Sequence, residues 1–150
     1  MSDNFLILIP QDPNHVPTAD QQSEAGRRMR GLAPNADEIK TETFETVQFF
    51  DCAANFSSVS CPHCRSEIPQ DWWGDKMDAD YEDGFQLASY DAPCCGKAAN
   101  LHELVYDWPQ GFGRFAVTAM NPGIGLLSDQ QREEFEALLG TKLRVIYNHL

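Results

Sequence analysis

The longest unbroken apolar run in the chain is FLILI, residues 5–9, and Pro10 closes it. Such a run predicts a short, well-buried strand. Thr18 then opens TADQ, in which Gln21 can reach back to complete a capping box. Ala25, Met29 and Leu32 follow at helical spacing, with Gly31 and Pro34 marking the end of that helix. Residues 37–51 are rich in β-branched and aromatic side chains and predict a long second strand. RFAVTAM, residues 114–120, predicts a third. Ser128 and Gln131 repeat the capping-box pattern ahead of Phe135, Leu138 and Leu139, which share one helical face. Gly140 stops this second helix, and KLRVIY, residues 142–147, reads as a last strand.

These segments spell β-α-β twice, the element order of an α+β ferredoxin-like sandwich. The expected domain comprises residues 1–51 and 112–150. Where a ferredoxin-like chain joins its second and third strands by a short turn, residues 52–111 intervene and hold every cysteine. The expectation is an insertion folded around its own centre. Inside it, residues 71–84 predict a helix with Trp73, Met77 and Tyr81 on one stripe and a solvated acidic face of Asp71, Asp75, Asp78, Asp80, Glu82 and Asp83. Residues 100–108 predict another helix, with Asn100 as cap, Glu103 in the capping-box position and Leu101, Leu104, Val105 and Trp108 as its apolar face.

Charge narrows the partners. Twenty-three acidic side chains against eleven basic ones give a formal charge of −12 across 150 residues. That balance opposes non-specific binding to nucleic acid or to an anionic membrane, where cations must neutralise phosphate, and leaves room for a basic protein partner. The basic stretch RRMR (27–30) falls in the last turn of the first helix, where it suits the helix dipole. QGFGRFAV (110–117) is similar to the aromatic signature of RNA-binding RRM strands, but Arg114 interrupts it and leaves Phe112 and Phe115 on opposite faces. The five apolar residues near the start are too few for a signal peptide or a membrane span, so a cytoplasmic protein is expected.

In a reducing compartment five cysteines point to ligands, redox groups or buried thiols before disulfides. Cys61 and Cys64, in CPHC, have the two-residue gap that brings two thiolates to one ion from a tight turn. This segment resembles the zinc knuckle of zinc-ribbon proteins, except that Arg65 stands where a glycine is usual. APCCG, residues 92–96, aligns with the same pattern: Ala92 takes the first cysteine position, Cys95 the second, and Gly96 the glycine. The resemblance implies one structural zinc ion held by Cys61, Cys64, Cys95 and a fourth ligand. Cys94 is the favoured fourth ligand because it lies in the same loop; Cys52, His63 and His102 are the alternatives.

CPHC also resembles the active-site sequence of strongly oxidising thioredoxin-like oxidoreductases, a family in which the first cysteine opens a helix. Here Pro69 and RSEIPQ offer poor helical continuation, and the flanking thioredoxin pattern is missing. No nucleophile elbow, phosphate loop, dinucleotide fingerprint or EF-hand is present, and no catalytic residue emerges. The whole chain also looks like members of an uncharacterised bacterial protein family, a resemblance that implies no activity. The expectation is a non-enzymatic zinc-binding adaptor that uses Trp72, Trp73, Asp75 and Asp78 as its contact surface. An acidic inhibitor or immunity-type protein is the alternative within the interaction class, and a thiol-disulfide oxidoreductase the alternative outside it.

Overall fold

In the computed structural model, which describes residues 2–150, the chain is α+β, with a four-stranded antiparallel sheet at its centre. The sheet is built from β1 (Asn4–Pro10), β2 (Glu38–Phe50), β7 (Gly111–Met120) and β8 (Leu143–His149), in spatial order β2-β7-β1-β8. Helix α1 (Ala19–Leu32) joins β1 to β2, and α3 (Asp129–Leu139) joins β7 to β8. Both helices start as the sequence predicts. Thr18 and Ser128 accept the backbone N–H of Gln21 and Gln131, and the glutamine side chains accept the cap N–H groups in return. Gly140 ends α3 with φ 68°, a left-handed conformation that glycine adopts without a Cβ clash. Gly31 does not end α1, which runs one residue further and closes at Ala33.

The uninterrupted FLILI run is explained by what covers the sheet. Leu6 and Leu8 face the helices, with Phe115, Val117, Ala119 and Leu143 beside them and Ala25, Met29, Phe135 and Leu139 above. Ile7 and Ile9 face the other way, with Ala116, Ile146 and Cys52. A strand enclosed on both faces has no place for polar alternation.

The second face is enclosed by the segment between β2 and β7, which carries little regular structure. Its elements are β3 (Val59–Ser60), α2 (Gln70–Asp80), β4 (Tyr90–Asp91), β5 (Ala98–Ala99) and β6 (Val105–Tyr106). β3 pairs with β6 and β4 with β5, each pair only two residues long. Its apolar cluster of Val59, Ile68, Leu101, Leu104 and Tyr106 merges with Val47 of β2 and Phe112 of β7. Phe112 and Phe115 therefore do lie on opposite faces, and both are fully buried. An RRM-like reader stacks bases on exposed rings. These two rings are enclosed by the intervening segment and by the helices respectively.

Two predicted helices come out differently. α2 stops at Asp80, so Tyr81 lies outside it and is 56% exposed. Asp80 is not part of a solvated acidic face. It is 2% exposed, and its carboxylate accepts from Leu87 N, Ala88 N and the Tyr90 hydroxyl at 2.8–2.9 Å. A buried carboxyl group needs those donors because burial has removed its water. Residues 100–108 form one turn rather than a helix. The Asn100–Glu103 capping box is made in both directions, but Val105 and Tyr106 then pair with β3. The Tyr106 hydroxyl returns to donate to Leu101 O at 2.6 Å. Leu101 and Leu104 are buried, while Val105 and Trp108 are exposed, so the expected apolar face is split.

A register shift between Thr43 and Gln48 bends β2, and Arg114 fills the gap by donating to Phe44 O. The intervening segment grips β2 at this bend, where Phe85 N donates to Val47 O and Gly84 packs against Thr46. A Cβ on Gly84 would stand 2.5 Å from Thr46 Cβ, so only glycine permits the approach. Among the described residues no helix is long and apolar enough to cross a membrane.

Candidate metal centre

Two short loops at the tips of small hairpins carry four of the five cysteines. In the first, Cys61 N donates to Ser66 O (2.9 Å) and Arg65 N to Cys61 O (3.0 Å). In the second, Ala92 N donates to Lys97 O and Gly96 N to Ala92 O, both at 2.9 Å. The bonds correspond one for one. Residues 61–66 and 92–97 follow the same turn, with Ala92 in the place of Cys61 and Cys94 in the place of His63. Arg65 and Gly96 close their turns with φ 66° and φ 75°. The left-handed conformation that suits Gly96 is imposed on Arg65 against its side chain.

The loops meet face to face. The sulfurs of Cys61, Cys64, Cys94 and Cys95 all lie within 4.8 Å of one another. Cys61 Sγ is 3.8 Å from Cys95 Sγ, and Cys64 Sγ is 3.2 Å from Cys94 Sγ. A tetrahedral zinc–thiolate site with Zn–S near 2.3 Å has sulfur–sulfur edges of about 3.8 Å. The cluster can therefore coordinate one metal ion with modest adjustment. Cys61 is buried and the other three are exposed.

Their electrostatics express the same crowding. The Cys64 thiol is pulled down to about 6, first by the Ser66 side chain and then by the Ser66 backbone. Cys61 is lowered as well, first by the backbone at Cys64. Cys94 is pushed up to about 12, chiefly by Cys64 beside it. Hydrogen bonds to Cys61 and Cys64 favour their anions, while Cys94, hydrogen-bonded to Cys64, holds its proton.

The remaining candidate ligands lie elsewhere. Cys52 is fully buried against the sheet, its Sγ 3.4 Å from Gln110 Oε1, and burial raises its thiol to about 11. His63 occupies the position equivalent to Cys94, but its Nε2 is bonded to Ala98 O at 2.8 Å. His102 has both ring nitrogens engaged: Nδ1 accepts from Phe112 N, and Nε2 donates to Gln11 O. Burial, with Arg144 nearby, lowers its pKa to about 4.

The tryptophans expected as a contact surface are set into the fold. Trp73 stacks on Phe56 at 5.1 Å, meets Phe49 and Tyr106 edge-on, and donates its Nε1–H to the Tyr106 hydroxyl. Trp72 is half-buried beneath Lys76, whose Nζ lies 5.6 Å from its ring centroid. Asp75 and Asp78 are exposed on the outer side of α2.

One feature gave no signal in the sequence. Arg144 of β8 donates to Gln11 Oε1, Gln110 O and His102 O, tying the intervening segment to the edge of the sheet. A Cβ on Gly111 would stand 2.7 Å from the Arg144 guanidinium, so this clamp depends on glycine there. Compared with known proteins, the chain matches no family model, no curated protein and no solved structure.

Proposed function

We propose that the chain is a non-enzymatic protein-interaction module in which residues 52–111 form an insertion pinned by one structural zinc ion. The observation that carries the reading is the convergence of four cysteine sulfurs from two equivalent turns within 4.8 Å. Four thiolates would complete a tetrahedral shell and leave no open position for water or substrate, the arrangement of a structural site. Soft, closely spaced sulfur ligands favour zinc among abundant divalent ions. The order of elements and the strand order β2-β7-β1-β8 support a ferredoxin-like sandwich as the outer unit. The zinc-ribbon resemblance finds support in the equivalence of the two turns.

The charge of −12 favours a basic protein as partner over nucleic acid or an anionic membrane. The oxidoreductase alternative lacks support at Cys61. That residue is buried, and the next helix begins only at Gln70, so no helix N-terminus lowers its pKa. Elemental analysis of protein purified without added metal tests the proposal, together with an insulin-reduction assay. One zinc per chain and no reductase activity are expected. A zinc-free chain cycling through a Cys61–Cys64 disulfide would favour the oxidoreductase.

A further inference from the structure

At the end of the sheet remote from the Arg144 clamp lies a cleft of about 450 Å³. Its walls come from both regions: Trp108 from the intervening segment, and Phe5, Leu126 and Tyr147 from the sheet unit and its loop. Trp108 and Leu126 are 39% and 69% exposed and line the same cleft, so they form one apolar patch rather than scattered exposures. No Asp, Glu, Lys or Arg lines the cleft, although the chain carries thirty-four such residues. The polar lining is amide and imidazole, including Asn4, Asn55 and His149.

The charge is arranged around it instead. Asp3 and Asp37 accept from Nδ2 of the lining residue Asn121, at 3.0 and 2.8 Å. Asp51 accepts from the lining residue Asn148, and Asp107 precedes Trp108 in the chain. Among the described residues none of these four carboxylates is in an ion pair. An apolar pocket with no carboxylate, lysine or arginine in its lining, flanked by carboxylates that make no ion pair, has the anatomy of an interface centre with an acidic rim.

We infer that this cleft is the docking site for a basic peptide segment of a partner protein. One large apolar side chain of the partner seats between Trp108, Leu126 and Tyr147, and flanking Lys or Arg side chains meet the carboxylates. The inference deepens the interaction-module reading and rests on it. It moves the contact surface from Trp72, Trp73 and the outer side of α2 to the part of the insertion beside Tyr147, where Trp108 is exposed.

The test uses the zinc-loaded full chain and three capped peptides: Lys-Lys-Phe-Lys-Lys, Lys-Lys-Ser-Lys-Lys and Glu-Glu-Phe-Glu-Glu. Binding is followed by amide and indole chemical shifts. The first peptide should shift the Trp108 indole and residues 121–126, with the serine peptide at least tenfold weaker and the acidic peptide silent. Affinity should fall with added salt. Trp108→Ala should weaken binding at least tenfold. Leu126→Ser, at an exposed loop position, guards against loss of folding in the first variant and should weaken binding about threefold or more. Equal affinity for the phenylalanine and serine peptides, shifts confined to α2, or self-association through the cleft would overturn the proposal. Zinc content is measured on the same samples, so failure of the metal reading registers separately from failure of the docking site.

Discussion

Phe112 and Phe115 stand three residues apart on β7, both fully buried, and each belongs to a differently built region. Phe115 lies in a core where long strands and two capped helices supply buried leucines, methionine and aromatics. Phe112 lies in a core to which β2 contributes Val47, while most of the other side chains come from two-residue strands, one helix without a side-chain cap, and turns. The first region has its backbone hydrogen bonds satisfied by regular ladders and needs only burial to hold it. The second has few ladders, so burial against the sheet is left with more of the conformational entropy to offset. A metal ion held between its two hairpin tips, as proposed, would add a cross-link to the contacts with the sheet and so supply what regular structure does not.

The largest expected effect separates these regions outright. Cys61→Ser or Cys95→Ser should release the metal and unfold the intervening segment while the sheet and helices persist. Structural zinc binding in small domains is worth about 10–16 kcal/mol at neutral pH, which sets the scale of the expected loss. Amide hydrogen exchange should show protection kept in β1, β7 and β8 and lost in residues 52–110. Uniform loss throughout the chain would mean that the regions are one cooperative unit.

Truncating the two phenylalanines sharpens the same contrast. Phe115→Ala should lower global stability by about 3–5 kcal/mol in denaturant unfolding. Phe112→Ala should cost a similar amount, but mainly as earlier opening of the intervening segment.

His102 gives the contrast a pH dependence of about 3 kcal/mol at most. Its folded pKa of about 4 lies below the ordinary 6.5, so the unfolded chain binds the proton more readily. The contribution is full above pH 6.5, falls as pH drops through that value, and is gone below about pH 4. His102→Gln should flatten the stability profile between those limits.

Asp80→Asn should cost about 1–3 kcal/mol, because an amide cannot serve all three donors that converge on the carboxylate. The smallest expected change is a gain. Arg65→Gly relieves a left-handed residue and should raise the temperature at which the metal is released, by an amount equivalent to about 0.5–1 kcal/mol.

What the sequence made legible follows from how local each signal is. Thr18 with Gln21 and Ser128 with Gln131 are complete within four residues, and both capping boxes form. The FLILI run signalled burial because both faces of a strand are read along one short segment. Asn100 and Glu103 carried an equally good local signal, and the box formed, but the helix did not. Pairing of Val105 and Tyr106 with residues 59–60, over forty positions away, outweighed it. Asp80 was illegible for a similar reason: among six acidic residues, only the return of the 87–90 loop marks it as buried. The alignment of APCCG with CPHCR located both turns, and Arg65 was marked as the misfit that its positive φ bears out. The cleft beside Trp108 had no such signature, since its walls come from five separated stretches of chain.

The central claim is that one ion joins the two turns through all four sulfurs. Zinc X-ray absorption on protein purified without added metal tests this most directly. The account predicts one zinc per chain with four sulfur neighbours at about 2.3 Å. A nitrogen or oxygen neighbour in place of Cys94, or a folded chain with no bound metal, would contradict it.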